Sequence, residues 1–142
     1  MKNGVVGWLC IAAIVILAPV AERRTTAQTG TADANEGRQL FATYCATCHG
    51  TNGGGNGPVA PWMRHRPPDI TGMALANGGV FPEERMRRII DGREVESHGT
   101  REMPVWGDAF KTVPGGERSE QAVQRRIAAV VQYLASIQKR RA

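Results

Sequence analysis

Two cysteines and a histidine stand together in the run Cys45-Ala46-Thr47-Cys48-His49-Gly50. Thiols three residues apart on a helix lie on adjacent turns of one face. Both can therefore add across the two vinyl groups on one edge of a haem, and His49 then offers its imidazole to the iron from the same side. The C-x-x-C-H spacing is the attachment pattern of haem c. Two other chemistries use paired thiols. A zinc knuckle needs a second pair of ligands, but the third cysteine, Cys10, lies in an apolar run near the N-terminus, and His65 and His98 are not at finger-like spacing. A thioredoxin-like redox pair needs a preceding strand and a βαβ frame. Here a helical stripe precedes the pair and a glycine-rich stretch follows it. One covalent haem c with its iron is the expected cofactor, attached at Cys45 and Cys48 and ligated by His49.

What such a haem does depends on the opposite axial position. The candidates are Met63, Met73, Met86, Met103, His65 and His98. Met86 has ordinary core spacing within a helix pattern from Pro82 to Asp91. Met63 and Met73 lie 14 and 24 residues beyond His49, which leaves little chain to pass round a porphyrin. Met103 lies 54 residues on, in a segment that Pro104 holds extended, and is the expected second ligand. A ligating His98 and a vacant position are the alternatives. The loop Gly50–Pro58 lacks the Lys-Ser/Thr of a phosphate-binding loop; its glycines suit a tight turn beside a flat cofactor. The Pro58 carbonyl is expected to accept from His49 Nδ1–H, fixing the tautomer that leaves Nε2 for iron.

Helices must position these groups. Asp33 followed by Glu36 reads as a capping box, and Leu40, Phe41, Tyr44, Cys45 and Cys48 form one stripe behind it. Gly37 inside that helix costs about 1 kcal/mol against Ala and is best explained by close approach of another helix. The partner is near the C-terminus: Ser119 caps, and Val123, Ile127, Val130, Val131, Leu134 and Ile137 make its apolar face. Lys139, Arg140 and Arg141 complement that helix's dipole. A third helix, from Pro82, stops at Gly92.

The 142 residues are enough for one domain of ordinary size. Hydrophobic residues at 42% and charged ones at 22% exclude a disordered chain. Three cysteines exclude a disulfide framework. The 18 basic and 13 acidic side chains give +5, but without residues 1–27 the balance is 15 to 12, or +3. With only 6% aromatics and no basic block, nucleic acid is not an expected partner. Lys2, an uncharged run through Ala21 and the small-residue site at Ala27 read as a secretory signal, with an uncleaved N-terminal anchor as the alternative.

The chain resembles the bacterial monohaem class I c-type cytochromes. The resemblance rests on Gly37, Phe41, Cys45-Ala-Thr-Cys48-His49-Gly50, Gly57-Pro58, Met103-Pro104 and the run Val130-Val131-Gln-Tyr133-Leu134. It implies an all-α fold in which the first and last helices cross, with Gly37 and Phe41 against Val130 and Tyr133, and loops wrap one haem. It also implies an electron carrier rather than an enzyme. Its partners would be redox proteins, as a monomer or a complex subunit, in the periplasm or tethered to the inner membrane. The expected organisation is a signal or anchor over 1–27, a linker over 28–33, the haem domain over 34–138 and a basic tail over 139–142. Trp62, Arg64 and Arg101 are candidates for the haem propionates. Two arginine groups, Arg64 with Arg66 and Arg85 with Arg87, Arg88 and Arg93, are candidates for a rim that steers an acidic partner. A haem enzyme or gas sensor with a labile or open sixth site, using His98 or Glu102, and a docked subunit of a larger oxidoreductase are the competing readings.

Overall fold

The computed structural model describes residues 27–95, 103–114 and 116–140, with backbone only for 27–33. Residues 1–26, with Cys10, and His98, Arg101, Glu102 and Arg141, lie outside the described residues. Those residues are helical, with no strands. Six helices follow in order: α1 (Ala27–Tyr44), α2 (Ala46–His49), α3 (Met73–Ala76), α4 (Glu83–Asp91), α5 (Trp106–Ala109) and α6 (Glu120–Ser136). Single 3₁₀ turns sit at Ala60–Trp62, Ile70–Gly72 and Phe110–Thr112. No helix among the described residues is long and apolar enough to cross a membrane.

α1 and α6 form the frame. The α6 face is buried as its spacing requires: Val123, Ile127 and Val131 are fully enclosed, with Val130 and Leu134 nearly so. Each such side chain contributes about 1.5–3 kcal/mol on burial. The close approach expected at Gly37 is present: a Cβ there would overlap the Ala129 carbonyl and touch Tyr133 Cβ at 3.0 Å. One turn further, the Phe41 ring packs 5.3 Å from that of Tyr133.

The terminators follow the sequence at two helices. Ser119 Oγ accepts from Ala122 N at 3.2 Å, capping α6. Gly92, in the left-handed region at φ 71°, closes α4 by donating to the Arg88 carbonyl. Two expectations are corrected. α1 begins at Ala27 and runs through Asp33, so Asp33 is no N-cap; the helix-favouring Ala27, Ala32 and Ala34 carry the ladder past it. Lys139 does not close α6, because its Nζ reaches Asp69 Oδ2 at 2.7 Å and its N–H donates to the Thr71 carbonyl at 2.8 Å. It ties the chain end to the Ile70 turn instead.

A separate clamp joins α4, α5 and α6. The Arg93 guanidinium makes two bonds to Asp91, at 2.6 and 2.7 Å, and two to Glu120, at 2.8 and 2.6 Å. Gln124 adds a bond to Asp91 at 2.8 Å. A Cβ on Gly107 would overlap Arg93 Nε and Asp91 Oδ1, so α5 rests directly on this cluster. Arg93 therefore leaves the set of candidate steering charges: two carboxylates already hold it.

Candidate haem-attachment site

α1 does not run straight into His49. It ends at Tyr44, and Cys45 opens the one-turn α2 with φ −114° and ψ −34°. Hydrogen bonding nonetheless continues across the seam: Cys45 N–H donates to Phe41 O at 2.9 Å, and His49 N–H to Cys45 O at 2.9 Å. The two thiols thus keep helical separation on one wall. Burial and the neighbouring Cys48 push the Cys45 thiol up to about 12, so it stays a neutral thiol. Burial lowers the His49 pKa and favours the neutral imidazole that can ligate a metal.

The glycine loop folds back onto protein backbone. Gly57 N–H donates to Cys48 O at 3.2 Å, and Gly55 N–H to His49 O at 2.8 Å. A Cβ on Gly57 would overlap the Thr47 carbonyl and crowd that of Cys48 at 2.6 Å. Only glycine lets the loop seat on the attachment helix in this way.

Cys45, Cys48, His49 and Met103 line one cavity, together with Met63, His65, Arg66, Pro67, Pro68 and Trp106. A contiguous chamber beneath shares Cys45, His49, Met103 and Trp106 and reaches Phe41, Met73, Phe110 and Leu134. Its volume is about 200 Å³. Tyr44, Trp106 and Phe110 form an aromatic corner on this side, with ring centroids 5.1–5.8 Å apart. Among the described residues no carboxylate lines either chamber. Two thiols, the neutral His49 imidazole and several methionine thioethers facing an apolar void fit a haem c. Among the described residues no cluster of three or more His, Cys, Asp or Glu side chains offers a metal site, so the zinc alternative finds no second set of ligands.

The structure places several of the expected residues away from the cavity wall. Among the described residues His49 Nδ1 is buried without a hydrogen-bond partner, so the bond to the Pro58 carbonyl is not made. Pro58 is exposed and off the cavity wall, because its segment is drawn onto Thr47 and Cys48. Trp62 and Arg64 also lie off the wall, and Trp62 is 87% exposed. Met63 and Met73, set aside for lack of chain, do reach it, since the 50–70 loop folds straight back over α2. Pro67, Pro68 and the Trp106 corner are wall residues that periodicity does not flag. The nearest sequence signal is the Pro-Pro pair, which stiffens the chain there.

A family model described as cytochrome C oxidase, cbb3-type, subunit III matches residues 32–134. No curated relative and no solved structure matches the chain. The all-α frame, the paired thiols and imidazole on one apolar cavity and this match over more than half the sequence lead to one conclusion: the chain belongs to this family of c-type cytochrome domains, which carry covalent haem c for electron transfer.

Proposed function

We propose that the protein is an extracytoplasmic one-electron carrier whose iron is held between His49 and Met103. The observation that carries this reading is that His49, both attachment cysteines and Met103 line the same apolar cavity. Haem bound there supplies a reversible one-electron iron couple, and Met/His ligation raises its potential. The chain's own residues do the rest. Cys45 and Cys48 fix one edge, and neutral His49 presents a nitrogen lone pair. Pro104 keeps Met103 extended, while buried Trp106, three residues on, ties that segment to Tyr44 and Phe110. Residues 1–27 serve export, 28–33 lead as the first turns of α1 into the haem domain over 34–138, and 139–142 form a basic tail. Arg101, two residues before Met103, is our candidate for propionate contact.

The test is Met103→Ala in the haem-loaded protein. Loss of the Met–Fe(III) charge-transfer band, a lowered potential and carbon monoxide binding to the ferrous form are expected, with Met63→Ala and Met73→Ala leaving all three unchanged. An unchanged spectrum in Met103→Ala, with the change appearing in His98→Ala or Met63→Ala, would reassign the ligand. A docked-subunit role is the second reading, favoured by the family's description as an oxidase subunit. Co-purification with a larger haem complex at stoichiometric yield would select it.

A further inference from the structure

Beside the attachment helix stands an exposed apolar knob. Val59 N–H donates to Thr47 O at 3.2 Å and Gly57 N–H to Cys48 O at 3.2 Å, so this segment is stitched to the backbone that carries Cys48. Ala60, 2% exposed, pins the turn beneath. Trp62 N–H to Val59 O at 3.0 Å and Met63 N–H to Ala60 O at 3.3 Å close it. Above the pin, Pro58, Val59, Pro61 and Trp62 are all exposed. Trp62 presents 87% of its surface to solvent, whereas tryptophan is highly buried on average. It does not line the cavity, so filling that cavity leaves it bare.

The sequence around the knob is one-sided in charge. From Gly37 to Pro68 the sequence holds no Asp or Glu. Arg64 and Arg66 come two and four residues after Trp62, and Arg66 lines the cavity. The first carboxylate beyond, Asp69, is held by Lys139 at 2.7 Å. Tryptophan and arginine are the residue types most enriched where binding energy concentrates at protein interfaces.

We propose that Trp62, with Val59 beside it and Arg64 and Arg66 around it, is the docking surface for a redox partner protein whose contact face is acidic around an apolar centre. The proposal rests on the electron-carrier reading. The arginines steer the encounter, an effect screened over about 8 Å at physiological ionic strength. Trp62, desolvated on contact, holds the complex long enough for transfer through the adjacent attachment helix. A protein fits better than a lipid surface, because a single 3₁₀ turn offers no amphipathic helix to lie in a bilayer interface.

The test reduces the ferric, haem-loaded protein by stopped flow with flavodoxin hydroquinone, an acidic donor whose carboxylates surround an apolar flavin edge, and separately with ascorbate. Trp62→Ala should slow the flavodoxin reaction about tenfold, the loss of about 1.4 kcal/mol at an interface, and leave the ascorbate rate and the haem spectrum unchanged. Trp62→Phe should retain most of the rate. Arg64→Glu with Arg66→Glu should slow the reaction and flatten its dependence on ionic strength. Equal flavodoxin rates for wild type and Trp62→Ala overturn the proposal. So does a wild-type rate indifferent to salt, or a Trp62→Ala defect confined to binding of phosphatidylglycerol vesicles. Failure of wild-type protein to cycle reversibly with ascorbate and ferricyanide is a different result, and strikes the carrier reading itself.

Discussion

At Gly37, a mutation that ordinarily strengthens a helix should weaken this protein. Replacing glycine by alanine inside a helix gains about 1 kcal/mol from propensity, but here the new Cβ overlaps the Ala129 carbonyl. Forcing α1 and α6 apart is an overpacking error costing about 1–3 kcal/mol. Gly37→Ala should therefore show a lower urea midpoint at unchanged slope; a raised midpoint would mean the contact is looser than described. The residue scale is also where the sequence spoke most clearly. Cys45, Cys48 and His49 were legible because covalent and metal chemistry tolerates few spacings. The missing Pro58 bond was not, because it depends on which way a glycine loop turns. That turn is decided by backbone acceptors on Thr47 and Cys48.

Among the elements, the Arg93 clamp should give the molecule a distinct acid limb. Hydrogen bonds from Arg93 hold Asp91 down to about 2, from an ordinary 3.8, and Glu120 down to about 2, from 4.5. Both groups are depressed in the folded state, so their contribution is present above about pH 4.5 and lost as pH falls through about 2. Arg93 stays charged throughout. Urea midpoints measured from pH 6 to 2 should fall less steeply in Arg93→Gln than in wild type, and parallel curves would refute the linkage. Ser119→Ala should cost about 1 kcal/mol at the α6 start, seen as a lower midpoint at neutral pH. The helices themselves were readable from Ser119, Gly92 and the α6 stripe, each a local signal. The clamp was not, because Arg93 and Glu120 are 27 residues apart, and an arginine after a helix reads as solvated surface.

For the whole molecule, cofactor and core are one structure. The chamber beneath the thiols reaches Phe41, Phe110 and Leu134, which belong to the α1–α6 core. Acid–acetone extraction should leave colour with the wild-type protein and release it from Cys45→Ala/Cys48→Ala. That double variant should also melt at lower temperature, because an unfilled apolar chamber loses contacts on all its walls. Retention of colour by the double variant would refute covalent attachment at these two residues.

The pairing of Gly37 with Ala129 joins positions 92 apart. Bringing them together must meet the closure entropy of nearly the whole domain before any burial repays it, and contacts of such long sequence separation slow folding. A haem attached at Cys45 and Cys48, with Met103 as the second ligand proposed above, would divide that span into smaller loops. The covalent group then acts as a folding nucleus as well as a redox centre, and refolding of the haem-bearing chain should outpace that of the haem-free chain by stopped-flow fluorescence of Trp106. Equal rates would mean that the two helices find each other unaided.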